Sequence, residues 1–156
     1  MSLLVQHHSF RWAISVIVVL AVFAVVPRVH AANRADDITF DDIKFEMKKG
    51  DPFAREMLTK KIEGYDGNKI RIRGYILPSF KQNGIQQFVL VRDNMECCFG
   101  PGAALFDSII VKMSPGKTTS YTIRPVAVEG TFSIREIRGP DGKHLAIYFM
   151  TADEVK

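Results

Sequence analysis

The chain reads as mainly β within an α+β plan: a small five-stranded Greek-key, OB-like barrel preceded by two short helices. Three observations predict it. Hydrophobicity alternates with a period of two from Lys69 onward, the pattern of a half-buried strand. Turn dipeptides punctuate that region at short intervals: Gly67-Asn68, Asn83-Gly84, Pro115-Gly116 and Asp141-Gly142. The fourth apolar run, Tyr121 to Ile137, is long enough to bend across two sheet faces. A β-sandwich is the main rival.

The elements follow in order. Residues 1–31 have the form of an export signal, with the apolar run Trp12 to Val26 behind Arg11 and ahead of Pro27. Val29-His30-Ala31 places small residues where a signal peptidase reads them, so cleavage after Ala31 is expected. The run falls short of the roughly 20 residues that span a bilayer core. A removed signal, and a periplasmic or secreted address, is therefore preferred over an uncleaved inner-membrane anchor.

Residues 32–38 are expected to be a polar linker, leaving residues 39–156 as one domain. Thr39 and Asp42 form a capping pattern, and Phe40, Ile43 and Met47 share one helical face, which predicts a helix near 40–49. Gly50 stops it. Asp51-Pro52 restarts the chain as an N-cap followed by a proline at the first helical position, with Phe53, Met57 and Leu58 turned inward and an end before Gly64.

Strand one carries Ile70, Ile72 and Ile76 against Lys69, Arg71, Arg73 and Tyr75 until Pro78. Asn83-Gly84 then predicts a tight turn into Ile85 to Arg92, the two strands forming a long hairpin. Ser108 to Met113 is the third strand and Tyr121 to Ile137 the fourth, with Pro125 at an edge or a start because it cannot donate to a ladder. Leu145 to Met150 closes the sheet.

Charge excludes one class of function. Lys and Arg number 21 against 17 Asp and Glu, and Arg11 and Arg28 would leave with the signal, so the exported chain is nearly balanced. No basic cluster exceeds a pair. Binding to nucleic acid through phosphate neutralisation therefore has no support. The remaining chain, about 125 residues long, is enough for one domain with a real core.

The residues that carry chemistry are Cys97 and Cys98, the two cysteines of the chain, at the junction between an apolar strand and the Gly100-Pro101-Gly102 loop. Neighbouring Cα atoms lie about 3.8 Å apart, below the roughly 4.4–6.8 Å of an ordinary disulfide, so a bond between them would be strained. Four readings remain: metal ligation, redox sensing through a strained and easily reduced bond, an intermolecular bridge, and plain packing of two small side chains. Thiolates suit Zn²⁺ and Cu⁺. Two ligands do not complete a zinc tetrahedron; Asp93, Glu96, Asp107 or His144 would supply the rest, and Met95 or Met113 a thioether for copper.

Other candidates favour ordinary roles. His7, His8 and His30 lie in the signal, which leaves His144 as the histidine of the domain and excludes sites needing two. A serine hydrolase elbow is missing from the sequence. Glu129 and Glu136, seven apart on one strand, fall on opposite sides of an unbroken pleat and do not form a glycosidase pair. Arg71 and Arg73 share a face that could grip an anion, although alternating arginines are usually the wet side of a strand.

The run Gly67 to Pro78 with its Gly74-Tyr75-Ile76-Leu77-Pro78 segment, followed by Phe88-Val89-Leu90-Val91 and then Cys97-Cys98-Phe99-Gly100, resembles a family of small exported bacterial proteins of unknown function marked by GYxLP and CCFG motifs. A similar arrangement occurs in exported barrel domains attached to some predicted permeases. The resemblance implies a fold, the motif positions Cys97 and Cys98, and a role in envelope transport or metal handling. It implies no catalytic residue. The expectation is a non-catalytic exported domain that binds Zn or Cu or serves an envelope transporter as an accessory. Its alternatives are a metal-free structural adaptor of an ABC-type permease and a thiol-redox sensor. A small-molecule substrate is not expected.

Overall fold

The alternation of Ile70, Ile72, Gly74 and Ile76 with outward polar residues becomes the central strand of a six-stranded mixed sheet in a computed structural model of the chain. The structure describes residues 34–47, 51–93 and 104–156. All belong to one compact unit, Asn33–Lys156. The strands are β1 (Asp36–Ile38), β2 (Lys69–Ile76), β3 (Gln87–Val91), β4 (Ser108–Met113), β5 (Val126–Arg138) and β6 (His144–Val155).

Their order is β1-β2-β3-β4-β6-β5, and β2 also pairs with β5, so the sheet returns on itself. The β1–β2 and β4–β6 pairs are parallel; the others are antiparallel. Inward residues of these strands, Ile70, Ile72, Leu90, Ile109, Val111, Val128, Phe132, Tyr148 and Met150, are all at or near zero exposure. Their burial supplies the main driving force for folding.

The mainly β expectation holds, and several details are corrected. The sheet has six strands among the described residues, because Asp36–Ile38, in the stretch expected to be a linker, pairs in parallel with Ile70 to Ile72 and buries Ile38. The long hairpin reduces to Tyr75 opposite Val91 and Ile76 opposite Leu90. The rest of β2 is taken by β5, Lys69 to Gly74 against Thr131 to Val126. Asn83-Gly84 consequently sits within a ten-residue connection, where Gly84 has φ 63°. β6 runs to Val155, well past Met150, because β4 and β5 flank it over most of its length.

The two expected helices are also shorter. Residues Phe40–Ile43 form one 3₁₀ turn, after which Lys44 is extended and Ile43 and Phe45 both enter the core. The carbonyl that would continue a helix from Ile43 instead accepts a 2.7 Å hydrogen bond from the Tyr148 hydroxyl. Farther on, a 3₁₀ turn at Arg55–Met57 and a short helix α1 (Lys60–Gly64) replace one longer helix. Thr59 splits them by capping α1, its hydroxyl accepting from the Ile62 amide at 3.3 Å.

Strand β5 bends at a register shift between Glu129 and Gly130. A Cβ at Gly130 would run into the Thr151 carbonyl oxygen. Only glycine permits the two backbones to approach this closely.

Candidate functional site

The β3–β4 connection carries Cys97 and Cys98, which with Met95 and Glu96 lie outside the described residues. Its two feet are described. Val91 pairs with Ser108, and the Arg92 amide donates to the Asp107 carbonyl at 3.0 Å. The returning foot is a 3₁₀ turn, Leu105–Asp107, closed by the Asp107 amide on the Ala104 carbonyl at 2.9 Å.

Arg92 ties the feet to the N-terminal segment. Its guanidinium reaches Asp41 at 2.9 Å and Asp107 at 3.7 Å. Asp107 is buried at 8% exposure, so a cation beside it offsets part of the cost of holding a carboxylate away from water. Asp41 sits on the Phe40–Ile43 turn, whose last carbonyl is held by Tyr148. The base of the loop is thus linked through Arg92 and Asp41 to the core.

A row of rings lies at this end of the sheet. Phe106 packs edge-on against Phe45 at 5.3 Å, Phe45 against Phe53 at 5.7 Å, and Phe53 against His144 at 5.3 Å between centroids. Lys44 lies over Phe106 at 5.9 Å. Such edge-to-face contacts direct ring edges at ring faces and fix side-chain orientation.

The structure sorts the remaining candidates. Asp93 and Asp107 stand at the feet of the loop. His144 begins β6, which runs parallel to β4, so it lies at the same end of the sheet. Its ring is 6% exposed and donates from Nε2 to Glu136 at 2.9 Å. That bond, with a second from Arg138, holds the Glu136 carboxyl below its ordinary value. Met113 ends β4 inside the core, away from the loop.

Glu129 belongs to a different group, bonded to Arg71 at 2.8 Å and Lys69 at 3.3 Å. Those partners, Arg71 first, lower its pKa. Glu129 and Glu136 are therefore two ionised carboxylates in separate ion clusters, and neither has the raised pKa of a general acid. Arg71 is engaged by Glu129 and by Asp37 at 3.8 Å; Arg73 is exposed beyond it. Among the described residues, no group of three or more His, Cys, Asp or Glu is placed to hold a metal.

Sequence reasoning missed Arg92 and the ring row. Arg92 gave no signal, since one arginine at a strand end is ordinary. Phe53 was readable only as a core residue and Phe45 lay off the expected helical face, and their alignment with Phe106 and His144 depends on contacts across the fold.

A mixed sheet that returns on itself, with a short irregular N-terminal cover, defines a small, mainly β domain. The chain belongs to the family described as protein of unknown function (DUF3299), whose model matches residues 24–156. Among solved structures it is similar to the crystal structure of a DUF3299 family protein from Pseudomonas aeruginosa PAO1. The two share 18% identity over 79% of this chain and 95% of that one, with a TM-score of 0.54, a likeness of fold. No curated protein matches the chain.

Proposed function

We propose that the chain is a non-catalytic domain exported from the cytoplasm, and that Cys97 and Cys98 in its β3–β4 connection bind Zn²⁺ or Cu⁺ or engage an envelope partner such as a transporter. The observation that carries this reading is the anchoring of the connection: the Arg92 to Asp107 backbone bond and the Arg92 bridge to Asp41 and Asp107 fix both feet. Fixed feet lower the entropy lost when a loop orders around a ligand.

Adjacent thiols satisfy each other poorly, and an oxidising compartment is hard on free ones. A bound ion removes both difficulties. The Asp93 carboxylate at the first foot is an oxygen donor of the kind that accompanies thiolates on zinc, while that of Asp107 is taken up by Arg92. The return pairing β2-β3-β4-β6-β5-β2, with β4 and β6 parallel, supports relating the sheet to the OB-like Greek key, with β1 as an added strand.

Reduced protein is titrated with Zn²⁺, and separately with Cu⁺, against a chromophoric chelator. The Cys97→Ser, Cys98→Ser double variant is expected to lose the binding. Unchanged affinity in that variant removes the metal reading. Intact mass of the exported protein, with and without chelator, reports signal removal and bound ion together.

A further inference from the structure

We propose that the end of the sheet opposite the cysteine-bearing connection docks on an anionic lipid surface through two neighbouring loop tips, one carrying Phe80 and Lys81, the other Ile123 and Arg124. The first loop, residues 77–86, leads into β3; the second, residues 114–125, joins β4 to β5. Both lie at the end where β3 starts and β4 finishes, Gln87 opposite Lys112.

The loops are held together by backbone. Ile85 and Thr119 exchange two hydrogen bonds of 2.9 Å, and the Tyr121 amide donates to the Gln82 carbonyl at 2.9 Å. These bonds put residues 82–85 beside 119–121, so Phe80 and Ile123 each stand two residues from the last of them. Ile85, 2% exposed, anchors the base in the core.

Among the described residues three large apolar side chains stand exposed: Phe80 at 111%, Ile123 at 77% and Leu145 at 62%. Two of the three are on these paired tips. One exposed apolar side chain is commonplace. Two on loops bonded to each other, each followed directly by a basic residue, form a different arrangement.

The charge of the tips selects the partner. Residues 77–86 and 114–125 contain Lys81, Lys117 and Arg124 and no acidic residue. The nearby carboxylate of Asp153 is engaged by Ser114 at 2.8 Å and Lys69 at 3.3 Å. An aromatic and an aliphatic side chain that insert shallowly, ringed by cations that stay among the headgroups, match an anionic bilayer surface. An acidic headgroup layer attracts each nearby Lys or Arg by about fivefold in binding.

Residues 12–26 are themselves apolar enough to partition into lipid, so the readout belongs at the tip. Trp12 is the one tryptophan of the chain; Trp12→Phe with Phe80→Trp moves the probe to position 80. Vesicles of equal parts phosphatidylglycerol and phosphatidylcholine are expected to shift its emission to the blue, and brominated acyl chains to quench it. Adding Lys81→Gln and Arg124→Gln is expected to weaken the response roughly twentyfold, with unfolding temperature unchanged because both side chains are exposed.

Emission that does not change with anionic vesicles overturns the proposal and leaves the tips to a protein contact. An equal response to pure phosphatidylcholine, or one insensitive to loss of the two cations, also overturns it. The cysteines play no part in this readout, so its outcome is independent of the metal titration.

Discussion

Replacing Tyr148 by phenylalanine deletes one oxygen from the centre of the fold and tests how the N-terminal cover is held. The Tyr148 side chain has no exposure, and its hydroxyl donates to the Ile43 carbonyl at 2.7 Å. Burial pushes the phenol pKa well above its ordinary value, so the donor is present at every pH the protein meets. The ring stays against Phe132, 5.1 Å between centroids, and the change opens almost no cavity. What is lost is the donor to a carbonyl on a residue with no exposure.

Leaving a buried acceptor unsatisfied costs about 1–3 kcal/mol. In a domain of about 125 residues each kcal/mol lowers the melting temperature by about 4 °C. Y148F is therefore expected to melt about 4–12 °C below the parent and to shift the urea midpoint with an unchanged m-value. A loss under about 0.5 kcal/mol, below the range for an orphaned acceptor, would refute the reasoning. It would mean that the carbonyl finds water, and that the Phe40–Ile43 turn is not held from the core.

Gly130→Ala drives a Cβ into the Thr151 carbonyl at the β5 bulge; overpacking against backbone predicts a loss of about 1–3 kcal/mol in urea unfolding, and parental stability would contradict the close approach. Asp42 has its pKa lowered from 3.8 to about 2, chiefly by the Lys61 hydrogen bond and then by the Thr39 amide and hydroxyl. A depressed carboxyl stabilises the fold above its unfolded pKa and loses that contribution as pH falls through the folded one. Asp42→Asn should accordingly lower stability at pH 7 and flatten the decline between about pH 4 and pH 2. Identical acid profiles of the two proteins would count against the Lys61 pairing.

Much of the sheet is legible in the sequence. Ser108–Met113 falls where the apolar run begins and ends, and Gly67, Gly116 and Gly142 turn with positive φ at the turn signals. Pro125 stands immediately ahead of β5. These features depend on neighbours in sequence: alternation needs only the pleat, and a turn needs only its own residues. The helices were misjudged for the converse reason. Phe40, Ile43 and Met47 have helical spacing, yet burial of Phe45 and capture of the Ile43 carbonyl by Tyr148, 105 residues away, decide the backbone.

The chemistry divides in the same way. By itself the sequence determined an adjacent thiol pair, a near-balanced charge and an alternating β pattern, because each is a property of composition or of residues close along the chain. Only the tertiary structure decided that Arg92 joins Asp41 to Asp107, that His144 is spent on Glu136, and that Phe80 and Ile123 stand on bonded loops. Those pairings span eight to dozens of positions, and they exist because burying the sheet's apolar face brings particular distant segments to the same end of the molecule.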